Sequence, residues 1–166
     1  MTQSGSDFLL RLSALAVAFV GWSAIVVTLR RALSDEKLGK LHTYFVRFFI
    51  EGGLTVAAFG LLPAMLLLTN LADHTVWRIA SAAAAVTFSA YIALLFRRRR
   101  RITRDRLPPR SIVSFATSST ATLALWANTS GLGWEPGAAA YAFALSALLA
   151  VGGWTFVWNL DIFLDV

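Results

Sequence analysis

Five apolar runs divide the sequence, and each is long enough to cross a bilayer as a helix. They cover residues 8–29, 41–69, 76–96, 111–128 and 137–160. A hydrocarbon core of about 30 Å needs roughly 20 apolar residues in helical form. The fourth run is the weakest, because seven of its residues are Ser or Thr. The pattern therefore predicts about five transmembrane helices joined by short connections.

The composition supports lipid rather than water as the solvent. Apolar residues make up 57% of the 166 residues and charged residues 14%, whereas soluble domains average about 45–50% and about 25%. A soluble fold of this size cannot cover its surface with so few charges. We predict an all-α integral membrane bundle, with residues 1–166 forming a single transmembrane domain and no soluble domain.

The basic residues predict the orientation in the membrane. Twelve of the fifteen Lys and Arg residues lie in the first and third connections. They are Arg30, Arg31, Lys37, Lys40, Arg97, Arg98, Arg99, Arg100, Arg101, Arg104, Arg106 and Arg110. Five crossings put both connections on one side, which the positive-inside rule makes cytoplasmic. We expect an inner (plasma) membrane protein with its N-terminus outside and its C-terminus in the cytoplasm. Residues 1–7 contain no Lys or Arg, so we expect the first run to be a retained span rather than a signal peptide.

The run Arg97, Arg98, Arg99, Arg100, Arg101 directly follows the third apolar segment. Basic residues at this position attract anionic lipid head groups, at about 1 kcal/mol each near the surface. A nucleic-acid or phospho-ligand site is the alternative, but the run lacks the interleaved aromatic residues and glycine loops that such sites use. We predict a topology anchor that contacts anionic lipid, and no nucleic-acid partner.

A charged pair lies near the cytoplasmic start of the second run. Arg47 and Glu51 are four residues apart, so they share a helix face and can form an ion pair. Ionisable groups inside a bilayer are candidates for function, and Gly52 and Gly53 leave room beside them for a backbone or an ion. Two interpretations stay open: structural pairing at the interface, or a gate at the mouth of a pore. Further along, Pro63 predicts a kink or local break.

The fourth run carries a polar stripe. Ser111, Ser114, Ser118 and Thr122 recur at intervals of three or four residues, which places them on one face of a helix. Hydroxyls in lipid need partners on their own helix or across an interface. The stripe predicts either interhelical hydrogen bonding with close packing or the lining of a water-filled path.

Small residues at helical spacing predict close packing between helices. The three stripes are Gly53, Ala57, Gly60, Ala64 in the second run, Ser81, Ala85, Ser89, Ala93 in the third, and Ala138, Ala142, Ser146, Ala150 in the fifth. The packing of a single five-helix bundle does not obviously require all three stripes. We therefore expect a homo-oligomer.

The sequence offers no catalytic chemistry. It contains no Cys, which removes thiolate catalysis and Cys-ligated metals. His42 belongs to the cytoplasmic side and His74 to the outside, so they cannot share a metal. No nucleophile has a plausible base beside it. We predict no catalytic residues, no metal, no cofactor and no enzymatic activity.

Spans, a hydroxyl stripe and a charged pair at one mouth together suggest a homo-oligomeric ion channel or pore. The alternative is a non-conducting accessory or scaffold subunit of a larger membrane complex.

Overall fold

The computed structural model describes residues 2–33, 40–102, 109–132 and 135–159. These ranges contain five α-helices and no strand: α1 Thr2–Leu33, α2 Lys40–Leu67, α3 Asp73–Ile102, α4 Pro109–Ser130 and α5 Ala138–Trp158. The predicted all-α bundle is confirmed. Three helices, α1, α3 and α4, extend beyond their apolar runs at both ends; α1, for example, begins at Thr2 rather than residue 8, and α3 ends at Ile102 rather than residue 96. Helical hydrogen bonding continues through polar residues, whereas the apolar run marks only the part suited to lipid. The connecting segments 34–39 and 103–108, which contain the predicted topology residues Lys37, Arg104 and Arg106, lie outside the described residues.

Four helices are long and apolar enough to cross a membrane. Their candidate spans are Gly5–Leu29, Thr43–Leu67, Asp73–Arg101 and Ala138–Trp158. Large apolar side chains point away from the bundle; Leu15, Met65 and Phe143 are 60%, 65% and 71% exposed. Lipid tails satisfy such a surface and water does not. The chain is therefore an integral, multi-pass membrane protein.

α4 is the least apolar helix, and its crossing stays a prediction. At 22 residues it is about 33 Å long. Asn128, near its end, bonds to Ser81 near the start of α3 at 2.8 Å. Ser114, near its start, lies 3.1 Å from Thr155 near the end of α5. α4 therefore runs antiparallel to both neighbours, with its two termini at opposite ends of the bundle. We name the end that carries Arg97–Arg101 the arginine end.

α1 and α2 approach each other closely at two glycines. A Cβ atom on Gly60 would overlap the Ser13 hydroxyl and lie 3.0 Å from the Leu9 carbonyl oxygen, and one on Gly53 would overlap Val20. The Ser13 hydroxyl lies 3.0 Å from the backbone oxygen of Ala57. The small-residue stripe of α2 thus packs inside one chain, so it is not free for self-association.

Pro63 does not break α2, which continues to Leu67. Proline has no N–H, so the carbonyl of Phe59 loses its intrahelical donor. The hydroxyl of Tyr141, in α5, donates to that carbonyl oxygen at 2.7 Å. Tyr141 is fully buried, and its hydrogen bond removes the cost of an unsatisfied carbonyl in an apolar core.

We expect Gly60→Ala to destabilise the bundle by about 1–3 kcal/mol, because the added methyl overpacks the α1–α2 contact. Gly21→Ala is the matched control, since a Cβ there meets nothing within 4 Å. Alanine favours helix over glycine by about 1 kcal/mol, so the control should lose no stability. Unfolding in mixed micelles of mild detergent and dodecyl sulfate measures both. Equal losses in the two variants would contradict the close contact.

The second prediction concerns orientation. The end of α5 lies at the arginine end, beside the start of α4, so we expect a C-terminal fusion to report the same compartment as the Arg97–Arg101 run. A fluorescent protein fused there should be bright and an alkaline phosphatase inactive. The reverse pattern would show that α4 does not cross or that the arginine end faces outward.

Candidate functional site

The structure places the predicted hydroxyl stripe on the inward face of α4. Ser111 and Ser114 reach neighbouring helices: Ser111 Oγ accepts from Nη1 of Arg99 at 3.0 Å, and Ser114 Oγ lies 3.1 Å from Thr155 Oγ1. Thr122 is buried and donates to the carbonyl oxygen of Ser118 at 2.8 Å. The stripe is therefore divided between interhelical bonds, a bond within α4, and a cavity that Ser118 borders.

A partly enclosed cavity of about 390 Å³ opens at the arginine end, between α2, α3, α4 and α5. We call it the arginine-end cleft. Most of its polar residues lie near the helix ends, whereas its apolar residues lie there and toward the middle of the bundle, where Ser118 is also found. The lining consists of Tyr44, Phe45, Phe48, Ile92, Leu95, Arg99, Arg110, Ser111, Ser114, Phe115, Ser118, Val151, Thr155, Trp158 and Asn159.

Two arginines give the cleft its charge. The guanidinium of Arg99 bonds to the neutral hydroxyl of Ser111, and that of Arg110 lies 5.3 Å from the ring centroid of Trp158. Within the described ranges neither arginine forms an ion pair with a carboxylate; the ion pair found there joins Arg98 and Glu51. The cleft therefore carries two positive charges whose nearest bonding partners are neutral.

The helix termini around the cleft add to this field. α4 begins at Pro109, so its first backbone N–H groups have no intrahelical acceptor and its dipole is positive there. The C-terminus of α5 has the opposite polarity. Its free carbonyls are partly satisfied, since the backbone N–H of Asn159 bonds to Thr155 and Phe156 and its side-chain amide donates to Thr155 at 2.6 Å. Among these described groups the two arginines and the start of α4 are positive and the end of α5 is negative, so an anion is favoured beside the arginines.

The deep wall of the cleft is mostly apolar, and a second cavity of about 40 Å³ lies next to it. The two cavities share four apolar residues and one hydroxyl residue: Phe48, Ile92, Leu95, Val151 and Ser118. Beyond them, toward the opposite end, the side chains of buried core residues fill the interior: Trp77, Ala84, Ala121, Leu125, Tyr141 and Leu145. The described cavities therefore border the arginine-end half of the bundle.

The predicted partnership of Arg47 and Glu51 is wrong. Glu51 Oε2 accepts from Nη1 of Arg98 at 2.7 Å, with both side chains a little over one-third exposed, while Arg47 is exposed. Spacing within one helix permits the Arg47 pair, but it gives no information about which residue of a neighbouring helix is closer. The bond instead ties α2 to α3 beside Gly52 and Tyr91.

The five residues of the arginine run have different environments, because successive helix positions rotate by about 100°. Arg97 and Arg101 are exposed. Arg98 pairs with Glu51, and Arg99 enters the cleft. Arg100 is also exposed, with its guanidinium 4.4 Å from the ring centroid of Phe96. Lipid contact by this run stays a prediction. In the structure Arg99 lines the cleft, whereas Arg97, Arg100 and Arg101 are exposed.

Two buried polar residues that connect the helices, Asn128 and Tyr141, were not predicted from the sequence. Asn128 donates to Ser81 Oγ at 2.8 Å and to the Gly137 carbonyl at 3.2 Å, and its Oδ1 accepts from the Gly137 N–H at 3.0 Å. Tyr141 caps the carbonyl freed by Pro63. An amide within an apolar run is a recognisable signal for such a contact. Its partners lie too far along the chain to be read from spacing.

We expect a double-mutant cycle to assign the ion pair. Glu51→Gln and Arg98→Gln should show a coupling of about 0.5–1 kcal/mol in unfolding, as is usual for partly exposed pairs. The cycle of Glu51→Gln with Arg47→Gln is the control and should show no coupling. A larger coupling to Arg47 than to Arg98 would restore the pair expected from the spacing.

Comparisons with known proteins find no similarity on which an assignment can rest. No family model, no curated protein and no solved structure matches the chain. The bundle and its cleft are thus the basis for assigning a function. Sequence and structure together identify an integral, multi-pass membrane protein built from α-helices.

Proposed function

We propose that this protein binds an anionic amphiphile in the arginine-end cleft. The acidic head lies between Arg99 and Arg110, and the hydrocarbon lies against the apolar wall. The observation that carries the proposal is the position of the charges: both arginines lie at the helix ends, whereas the deeper lining is aromatic and aliphatic except for Ser118. Such a gradient matches a molecule with a charged head and an apolar tail.

The charge of the cleft supports an anionic head. Guanidinium groups present a planar fork of donors that fits phosphate and carboxylate oxygens. Arg99 currently donates to a hydroxyl, a weaker partner than an anion. The first N–H groups of α4 have no acceptor within the helix and belong to the turn that carries Arg110 and Ser111. An anion here gains charge-assisted hydrogen bonds, and among the described residues no carboxylate pairs with either arginine.

The apolar wall supports a hydrocarbon tail. Phe48, Leu95, Phe115 and Val151 enclose the cleft from four helices. Water in such a cavity finds few polar partners, whereas a methylene chain gains about 0.8 kcal/mol for each CH₂ that leaves water. The membrane lipids around the bundle are a concentrated source of such chains. A lipid from the leaflet at the arginine end is the occupant favoured by position.

We expect Arg99→Gln with Arg110→Gln to weaken binding of an anionic lipid about tenfold or more. Hydrogen bonds to charged groups contribute about 1.5–3 kcal/mol each, and about 1.4 kcal/mol is tenfold in affinity. The matched control is Arg97→Gln with Arg101→Gln, which removes the same charge from exposed positions. Native mass spectrometry of the purified protein titrated with dioleoylphosphatidylglycerol measures the bound fraction, with dioleoylphosphatidylcholine as the neutral comparison.

Equal losses in the two double variants would show that binding follows net charge rather than the cleft. No preference of the wild type for the anionic lipid would also contradict the proposal. Exposed charges interact with a lipid surface at about 1 kcal/mol each. The control is therefore expected to change binding to vesicles more than binding of the single retained lipid.

A homo-oligomeric pore, predicted from the hydroxyl stripe, is the second candidate. One observation favours it: Thr117, Ser119 and Thr120 lie on the exposed side of α4 near its middle, where lipid tails give their hydroxyls no partner. Contact with another copy, or with water between copies, would provide one. An accessory subunit would use the same face against a different membrane protein.

For the pore we expect a defined homo-oligomer in mild detergent and ion flux in liposomes. Thr120→Leu should abolish flux if the exposed face lines the path, whereas Ser118→Leu should do so if the inward face does. A monomer at every protein-to-detergent ratio would contradict the oligomer. Ordered oligomers that never conduct would favour the accessory subunit.

A further inference from the structure

The arginine-end cleft has a second polar level, one helical turn below its arginines. We propose that its occupant is a glycerophospholipid held at two depths, with its phosphate at Arg99 and Arg110 and one ester carbonyl at the hydroxyls of Ser114 and Thr155. This inference rests on the proposed function. It deepens that function by naming the ligand class, because a simple anionic amphiphile such as a fatty acid or an alkyl phosphate has no acceptor at the second depth.

The depth of the hydroxyl pair fits the glycerol backbone. Ser114 follows Arg110 by four residues on α4, which is about 6 Å along the helix axis. Both hydroxyl residues line the cleft together with the two arginines. In a glycerophospholipid the ester groups follow the phosphate after a short glycerol segment, a separation comparable with one turn of helix. Phosphate and ester can therefore meet the two levels at the same time.

The hydrogen bonds of Ser114 and Thr155 can rearrange so that one hydroxyl hydrogen becomes available to a ligand. Ser114 Oγ lies 3.3 Å from the Arg110 carbonyl, a long bond, and 3.1 Å from Thr155 Oγ1. When Ser114 donates to Thr155, the hydroxyl hydrogen of Thr155 is free for a further acceptor. Only the long bond to Arg110 is lost. An ester carbonyl is an acceptor without a donor, so it matches this requirement.

Below the hydroxyl pair the cleft suits an acyl chain. Ile92, Leu95, Phe115 and Val151 form most of the wall there, and Ser118 adds a hydroxyl. The adjoining cavity continues between Phe88, Leu148 and other apolar side chains. A hydrocarbon chain fills such a narrow apolar space, whereas a sugar or a second charge does not. From its opening inward, the cleft thus offers groups that match the phosphate, the ester and the acyl chain of a phospholipid, in that order.

The test compares two lipids that differ only at the ester. Purified protein is mixed with equal amounts of dioleoylphosphatidylglycerol and its dioleyl ether analogue, and native mass spectrometry measures the bound ratio. We expect the wild type to favour the ester lipid about fivefold, the equivalent of one hydrogen bond of about 1 kcal/mol. Ser114→Ala with Thr155→Val should reduce the ratio to about one, while total binding of the two lipids falls by less than that preference.

Two further variants separate a lost hydrogen bond from a damaged fold. Thr155→Ser keeps the hydroxyl and should keep the ester preference. Ser119→Ala removes a hydroxyl from the exposed side of the same helix and should leave the preference unchanged. Loss of preference in Ser119→Ala, or its survival in the Ser114→Ala, Thr155→Val double variant, would overturn the assignment of the second level.

The remaining outcomes distinguish this inference from the proposed function. Equal binding of ester and ether lipids by the wild type would overturn the ester contact and leave the anionic-amphiphile site in place. Binding of neither lipid, with no difference from phosphatidylcholine, would overturn both. Inorganic phosphate is included as a competitor. Displacement of the lipid by phosphate alone at comparable concentration would show that the cleft recognises free phosphate, and would overturn the lipid assignment.

Discussion

Hydrocarbon accepts no hydrogen bonds, so a bundle embedded in it has to satisfy its polar groups from its own atoms. Three buried or half-buried hydroxyls do this across helix contacts. Ser13 bonds to a carbonyl of α2, Tyr91 donates to the Phe48 carbonyl at 3.1 Å, and Tyr141 satisfies the carbonyl that Pro63 leaves without a donor. Each of these bonds also joins two helices. The polar residues of the core thus connect neighbouring helices as well as satisfying their carbonyl groups.

At the arginine end the polar side chains are paired differently. There the helices separate enough to leave a cleft, and within the described residues its arginines bond to a hydroxyl or face an aromatic ring rather than a carboxylate. An external anion would complement these two positive charges. The Glu51–Arg98 bond lies on the α2–α3 contact nearby. Arg98 is turned toward Glu51, while the next residue, Arg99, is turned into the cleft.

α4 has two roles that its composition alone did not separate. Its inward face supplies Ser111, Ser114 and Ser118 to the cleft, and its last turns anchor Asn128 against α3 and the start of α5. Its outward face carries the exposed hydroxyl residues Thr117, Ser119 and Thr120. The proposed lipid site uses the first face, and a homo-oligomer would use the second. The two functions are therefore compatible in one molecule.

The sequence by itself determined the solvent, the helical class and the approximate helices, because apolar run length and charge content respond directly to the hydrocarbon thickness. It also placed Ser111, Ser114, Ser118 and Thr122 on one face, since helical periodicity is a local property. Tertiary structure decided the partners. Glu51 bonds to Arg98 rather than Arg47. Of the five arginines in the run 97–101, Arg99 is the one that lines the cleft. These outcomes depend on which helices are adjacent and how each is rotated about its axis, and residue spacing within one helix contains neither quantity.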